Sequence, residues 1–343
     1  MKRLTLAAAA FAAVTVFGMG PVAQAGATLD AIRQNDTLRC GVNTGLAGFG
    51  IADEQGRWTG LDVDYCKGMA AAILGDADKV EYVPLSAQQR FTALQSGEVD
   101  VLSRNTTWTL TRDASLGLAF AGVWFYDGQG FMVPKSLGVT SAMDLDGASV
   151  CVQPGTTTEL NLADFFRANN MDFEPVVIEA QSEVVAAYFS GRCDVFTTDA
   201  SGLAATRANE APNPADHVIL PELISKEPLG PVVRRGDDEF FAIAKWVLFA
   251  LVEAEEKGVT AANAADMKAN STDPTVQRML GATGDMGEKV GLDAEFAKRA
   301  IMAVGNYGEI FDRHVGPDTP IGLERGVNAL WTEGGLMYAP PMR

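Results

Sequence analysis

Hydrophobic positions along the first third of the chain switch repeatedly between strand and helix periods. In LRCGV, Leu38, Cys40 and Val42 alternate with Arg39 and Gly41, the spacing of a strand with one buried face. Ahead of it, TLDAIRQND places Leu29 and Ile32 on one helical face and ends in an Asn35-Asp36 turn. WTGLDVDYCKGMAAAILG sets Val63, Met69 and Ile73 at helical spacing and closes at Gly75. Asp62 and Asp64 fall in its first turn; at i and i+2 they point apart, so they are expected to act as partners of the helix dipole rather than as a catalytic pair. VEYVPL predicts a second strand, SAQQRFTALQSG a helix with Ser86 as N-cap and Gly97 just past its end, and VDVLS a third strand. Strand, helix, strand, helix, strand is the rhythm of a parallel α/β sheet.

The rhythm returns. ASVCVQ, EPVVIE and CDVFTT predict strands, with helices in PGTTTELNLADFFRANN and SEVVAAYFSG between them. One motif marks the correspondence: SGEVDVLSRNTT (96–107) and SGRCDVFTTDAS (190–201) both write Ser-Gly-x-x-Asp-Val. Gly97 and Gly191 end helices, and the residues after them open strands of equivalent rank in two sheets. FAGVWFYDGQGFMVP (120–134) and LISKEPLGPVVRRGD (223–237) bracket the second unit, each combining apolar alternation with Gly and Pro. After them, FFAIAKWVLFALVEAEEKG is a strongly apolar helix with no third sheet to follow, so it is expected to pack back on the first lobe. The expected organisation is a first lobe at 26–132, a second at 133–228, and a return to the first at 229–343 that includes a C-terminal helical extension. Two extended crossovers between such lobes make a hinge with a cleft.

The start of the chain is different in kind. Lys2 and Arg3 precede an apolar run from Leu4 to about Met19, followed by Ala23-Gln24-Ala25, the pattern of a secretory signal peptide cleaved after Ala25. The run is short for a spanning helix. Export gives the four cysteines a meaning: there is no C-x-x-C, and only His217 and His314 accompany them, so no zinc cluster or other metal site is expected. An even count in an oxidising compartment points to disulfides, with four free buried thiols as the other reading. Of the three pairings, Cys40–Cys66 and Cys151–Cys193 are favoured because each staples one lobe internally. Loss of Lys2 and Arg3 takes the formal charge from −17 to −19, and such a surface repels nucleic acid.

In open parallel sheets ligands sit beyond the carboxyl ends of the strands. The loops there run Asn43 to Phe49, Arg104 to Arg112 (with Asn105, Thr106 and Thr107), Pro154 to Thr158, and Thr197 to Asp199, all dominated by small polar groups. Arg112 offers a planar fork for a carboxylate, Thr107 and the amides around Thr156 and Thr157 offer further donors, and Asp199 can accept from an ammonium. Each has a plainer use: Arg112 on a solvated surface, Gly-Thr-Thr as a helix cap or phosphate nest, Asp199 as the cap of a helix starting near Ser201. Convergence on strand ends of the same sheets favours a site complementary to an α-amino acid. There is no G-x-S-x-G, H-E-x-x-H or P-loop, and a catalytic acid or base would have to be a residue such as Glu159, expected on a solvated helical face.

WTGLDVDYCKGMAAAILG, LQSGEVDVLSRNTTWTLTRD, WFYDGQGFMV, DLDGASVCVQPGTTTEL and FSGRCDVFTTD run in an order that resembles the periplasmic solute-binding proteins of polar amino-acid ABC transporters, over roughly 38–250. Within that family the chain is most similar to the general L-amino acid-binding branch. The resemblance implies a two-lobe, type II periplasmic-binding-protein fold of the α/β class, monomeric and without cofactor, that closes on an L-amino acid and delivers it to membrane permease subunits. It also implies that Arg112 binds the α-carboxylate assisted by Thr107 and Thr157, that Asp199 binds the α-ammonium, and that Asn43 and Ser86 line the side-chain pocket. Relatives selective for cationic amino acids carry an acid and aromatics where this chain has Asn43, Gly45, Leu46 and Gly48, so broad specificity with a polar, acidic or amide preference is expected. The alternative on the same scaffold is a periplasmic enzyme resembling cyclohexadienyl dehydratase.

Overall fold

A computed structural model describes residues 26–343; the leader and the cleavage position after Ala25 lie outside the described residues. The chain opens with α1 (Ala27–Asn35), β1 (Leu38–Asn43), a small hairpin of β2 (Ile51–Ala52) and β3 (Trp58–Thr59), α2 (Leu61–Leu74), β4 (Val80–Leu85), α3 (Arg90–Ser96), β5 (Val101–Leu102), α4 (Leu110–Ser115) and β6 (Leu118–Phe120). It crosses through β7 (Phe125–Asp127) into β8 (Gln129–Pro134), β9 (Ala148–Val152), α5 (Thr157–Ala168), β10 (Phe173–Val177), α6 (Gln181–Phe189), β11 (Val195–Asp199), α7 (Ala200–Asn209) and β12 (His217–Ile219). It returns through β13 (Glu227–Leu229) to β14 (Val232–Arg234) and α8 (Asp238–Glu256), then adds α9 (Ala264–Asn270), α10 (Pro274–Met279), α11 (Met286–Lys289), α12 (Phe296–Val304) and α13 (Tyr307–His314).

Two five-stranded sheets result, ordered β4-β1-β5-β14-β6 and β10-β9-β11-β8-β12. In each, four strands run in one direction and the strand by which the chain enters the lobe, β14 or β8, inserts antiparallel. The strand β8 pairs wholly within the second sheet, and its Phe131, Met132 and Val133 are buried in that lobe's core. The crossing therefore falls at β7, a few residues before the position 132 expected from the sequence. The two crossovers pair with each other, Phe125 opposite Leu229 and Asp127 opposite Glu227.

The repeated Ser-Gly-x-x-Asp-Val has one structural cause in both lobes. Gly97 (φ 81°) and Gly191 (φ 75°) take the left-handed conformation that ends α3 and follows α6. Three residues on, Asp100 and Asp194 each accept the backbone N–H of the neighbouring strand, from Arg39 at 2.9 Å and Ser149 at 3.0 Å. Their own N–H groups return to the same residues' carbonyls, at 2.9 Å each. The motif fastens the turns that open β5 and β11 onto their neighbouring strands β1 and β9 and so fixes where the polar loops at the other end emerge.

The apolar helix α8 packs back on lobe one, burying Phe240, Ile243, Val247 and Leu251 in its core. Burying side chains of this size is worth about 1.5–3 kcal/mol each. Within the same cluster α12 lies against α2, where Gly68 lets Ala300 and Val304 approach. Asp64 is buried and takes Arg313 at 2.5 Å and His314 Nε2 at 2.6 Å, fastening α2 to α13. That is a tertiary role beyond the helix-dipole partnership expected for it, made available by the C-terminal extension. Cys40 of β1 is bonded to Cys66 of α2, and Cys151 of β9 to Cys193 just before β11, one bridge within each lobe.

Candidate functional site

The polar loops at the carboxyl ends of both sheets meet face to face. Ser86 Oγ of lobe one donates to Glu179 of lobe two at 2.9 Å, and the Thr107 and Thr157 hydroxyls lie 3.2 Å apart across the boundary. Leu46 shares a buried cluster with Ala204 and Ala205 of α7. Gly155, at φ 72°, has Gln88 Cγ 3.0 Å from where a Cβ would stand, a close approach that a glycine permits. The lobes are thus in contact along the cleft, and an interlobe cavity of about 440 Å³ lies between Thr44, Gly45 and Ser86 on one side and Glu179, Gln181 and Ser182 on the other.

Lobe one contributes Asn43, Ser86, Asn105, Thr106, Thr107 and Arg112. Asn43 ends β1 and spends its amide on the protein, donating to Asn105 Oδ1 at 3.0 Å and accepting from Gly45 N–H at 3.0 Å. Asn105 takes φ 32°, a left-handed conformation Asn tolerates, and its N–H is held by Asp62 at 2.8 Å. Thr106 turns its hydroxyl back onto the Arg104 carbonyl. Arg112, at the start of α4, donates to the Thr107 carbonyl at 3.0 Å and stacks over the Phe91 ring 5.0 Å away. Ser86 does not begin the α-helix, whose first residue is Arg90; it caps the turn before it, accepting from Gln89 N–H at 3.3 Å.

Lobe two contributes Thr156, Thr157 and Asp199. Thr156 is the N-cap of α5: its hydroxyl accepts from Glu159 N–H at 3.1 Å and donates to the Gln153 carbonyl. Thr157, the first helical residue, donates to Glu227 at 2.8 Å. Asp199 occupies the N-cap position of α7 but makes no capping bond with its side chain; Asp127 serves that helix start instead, taking the Ser201 hydroxyl. The Asp199 carboxylate is left to the cleft. Glu159 is committed to the Gly155 N–H at 2.9 Å.

Sequence reasoning missed the most heavily charged part of the site. Arg90 and Arg104 are 3% exposed each, and Arg90 Nε and Arg104 Nη2 have no hydrogen-bond partner among the described residues. Burial and the neighbouring Arg104 and Arg112 hold the Arg90 guanidinium well below its ordinary value, and burial lowers Arg104 to about 10. Three buried guanidiniums in one lobe thus press on each other, with Asp62, Asp199 and Glu227 as the carboxylates nearby. On the carboxylate side, burial, Asp127 and Glu227 push Asp199 well up, eased by Arg90 and Asn105. Asp62, also missed as part of the site, is buried with its carboxyl raised to about 6 by desolvation, and orders the β5 loop through Ser103 Oγ at 3.1 Å and Asn105 N–H. The signal for Arg90 was present in SAQQRF, but a helical Arg reads as solvated until the second lobe covers it.

Two mixed α/β lobes, joined by paired crossover strands and meeting at a cleft with buried arginines on one wall and a buried carboxylate on the other, define a type II periplasmic-binding-protein clamp. The chain belongs to the bacterial extracellular solute-binding proteins, family 3, whose model matches residues 38–278. It is 57% identical to the glutamate/glutamine/aspartate/asparagine-binding protein BztA of Rhodobacter capsulatus, over 97% of this chain and 98% of that protein. It is 54% identical to the general L-amino acid-binding periplasmic protein AapJ of Rhizobium johnstonii, over the whole of both. Among solved structures, an ABC transporter/periplasmic binding protein from Brucella ovis with glutathione bound is similar at a TM-score of 0.90 and 54% identity, covering 92% of this chain and 99% of that one.

Proposed function

We propose that this chain is the periplasmic substrate-binding component of an ABC importer, a monomer that captures L-amino acids by lobe closure and presents the closed form to membrane permease subunits. The observation that carries the reading is the crowding of like charges on the two walls: Arg90, Arg104 and Arg112 are buried together in lobe one, with Arg90 Nε and Arg104 Nη2 lacking a partner among the described residues, while across the cleft burial, Asp127 and Glu227 push the Asp199 carboxyl well up. A zwitterion relieves both conditions at once. Its α-carboxylate pairs with Arg112 and its α-ammonium with Asp199, and because these belong to different lobes the ligand has more contacts in the closed state than in the open one. Arg90 and Arg104 remain for a second anionic or amide group, which favours glutamate, aspartate and their amides. The relatives' names, glutamate/glutamine/aspartate/asparagine-binding and general L-amino acid-binding, support this preference.

The dehydratase alternative is not favoured, since these relatives are binding proteins of transporters. A second ligand class has one observation behind it. Glutathione carries a free α-ammonium and α-carboxylate at its γ-glutamyl end, and the 440 Å³ interlobe cavity offers room beyond an amino acid. The test is a thermal-shift screen of the twenty amino acids and glutathione, with sugars and simple organic acids as controls, followed by calorimetry. A rise in melting temperature with acidic and amide amino acids is expected. No shift with any amino acid would sink the reading.

A further inference from the structure

The family match ends at residue 278 and the chain continues to 343. Part of that continuation, 315–323, folds on itself after α13: the Leu323 N–H donates to the Val315 carbonyl at 2.9 Å and the Thr319 N–H to the Gly316 carbonyl at 3.0 Å. Both its ends are fastened to lobe one, by His314 on Asp64 and by Arg325 on Glu255 of α8 at 2.8 and 3.1 Å. Its buried Val315 and Ile321 lie directly on the loop after β1. A Cβ at Gly48 would stand 2.5 Å from Ile321 Cδ1, 2.8 Å from Val315 Cγ1 and 3.0 Å from the His314 carbonyl oxygen, so a glycine, here at φ 80°, is what lets the two segments approach. Gly48 belongs to a tight turn in which Leu46 and Gly50 exchange both backbone hydrogen bonds at 2.9 Å. The turn reaches the other lobe through Leu46, whose Cδ1 lies 4.0 Å from where a Gly202 Cβ would stand. Ala204 and Ala205 of α7 are accordingly buried in lobe one's cluster, while the adjacent Leu203 is buried in lobe two's. Beside this contact a crevice of about 460 Å³ opens between the extension at Pro320 and Ile321 and α7 at Ala204 and Arg207.

We infer that the C-terminal extension sets lobe one's closing surface, with Val315 and Ile321 as positioning residues that hold the Leu46–Gly50 turn so that Leu46 meets α7. Resting on the amino-acid reading above, this supplies an apolar driving force for closure in addition to the ligand. A turn with glycines at 48 and 50 has little stiffness of its own, and the extension provides it. The ligand side of the same loop is held separately, since Asn43 accepts the Gly45 N–H and donates to Asn105 within lobe one. Leu46 and Ile321 are not among the described residues that line the interlobe cavity. A contact that forms in the closed protein and spares the ligand biases the open–closed equilibrium alone. It therefore multiplies the affinity of every ligand by one factor, whereas a change in the pocket alters ligands unequally.

The test is Ile321→Ala and Leu46→Ala in the full chain. Each is expected to weaken calorimetric affinity for L-glutamate, L-glutamine and L-asparagine by a common factor of about three to ten. Stopped-flow measurements should show the ligand dissociating faster by that factor and associating at an unchanged rate. The double variant is expected to lose no more than the worse single change, because Ile321 acts through Leu46. Unchanged affinity in Ile321→Ala, losses that differ more than about threefold among the three ligands, or losses that multiply in the double variant would each overturn the inference. Should Ile321→Ala fail to fold, Ile321→Val, which removes only the methyl nearest Gly48, is compared in the wild-type and Leu46→Ala backgrounds: a loss confined to the first supports the assignment, and equal losses in both, or none in either, overturn it. A wild-type protein that binds no amino acid refutes the functional reading itself, whereas a binding wild type with an indifferent Ile321→Ala refutes only this assignment.

Discussion

Asn328, in the C-terminal segment beyond α13, pairs with both backbone groups of Tyr126 in the crossover strand β7: its Oδ1 accepts the Tyr126 N–H at 2.7 Å and its Nδ2 donates to the Tyr126 carbonyl at 2.9 Å. The strand β7 is therefore held on one edge by β13 and on the other by this single side chain. On the far edge of β13, Trp108 N–H reaches the Pro228 carbonyl at 2.8 Å. The hinge is a ribbon supported on both sides, and the extension supplies one support.

Asn328→Ala leaves a strand-edge N–H and C=O without partners, at a cost of about 1–3 kcal/mol. The melting temperature should fall by roughly 4 °C, and the ligand-bound form should be affected along with the free one. Differential scanning calorimetry with and without L-glutamate checks this; an unchanged transition would remove the extension from the hinge.

Arg112→Ala removes the guanidinium assigned to the α-carboxylate. The buried carboxylate of the ligand would lose its partner, a loss of about 3–5 kcal/mol, so affinity should drop by at least two orders of magnitude with the circular dichroism spectrum intact. Calorimetric titration measures it, and retention of wild-type affinity would show that another residue holds the carboxylate.

Acidity should act on the ligand-free and ligand-bound forms in opposite senses. Burial, with Asp127 and Glu227, raises Asp199, and burial raises Asp62 to about 6. A carboxyl whose folded value lies above its unfolded one holds extra protons in the folded state, so the free protein loses stability as pH rises from about 4 through the raised values. His217, lowered by burial, works the other way below its ordinary value, but it lies largely in reach of solvent and its share is small. The ligand ammonium needs Asp199 ionised. Affinity should consequently weaken as pH falls through the raised value of Asp199, and the ligand-induced rise in melting temperature should shrink with it. A pH-independent rise, or the same profile in Asp199→Asn, would argue against Asp199 as the ammonium partner.

The two bridges close loops separated by 26 and 42 residues. Replacing either pair with serine should cost about 3–4 kcal/mol, slightly more for Cys151–Cys193 because its loop is longer. Since each bridge lies within one lobe, the Cys151/Cys193 double variant should lower the unfolding transition of lobe two while ligand still binds at low temperature. Complete loss of binding with both lobes folded would mean that the bridge shapes the cleft directly.

Periodicity and turn chemistry carried the alternation of strands and helices in each lobe, the two-lobe division, the return of α8 to lobe one, and the polar loops at the strand ends, because these depend on residues near one another in the chain. Gly97 and Gly191 needed the left-handed conformation wherever the strands ended up, and the polar runs after β1, β5, β9 and β11 had to emerge at the carboxyl ends of their sheets. Only the tertiary structure decided which polar groups were spoken for. Thr156 and Asn43 satisfy the backbone and a neighbouring amide, whereas Asp199 is released from its capping position because Asp127 takes the Ser201 hydroxyl. Asp62 reads in the sequence as a helix-dipole partner, and nothing in the pattern singles out Arg90 or Glu227. Their force comes from burial by segments up to a hundred or more residues away, since desolvation depends on what covers a side chain and not on what precedes it.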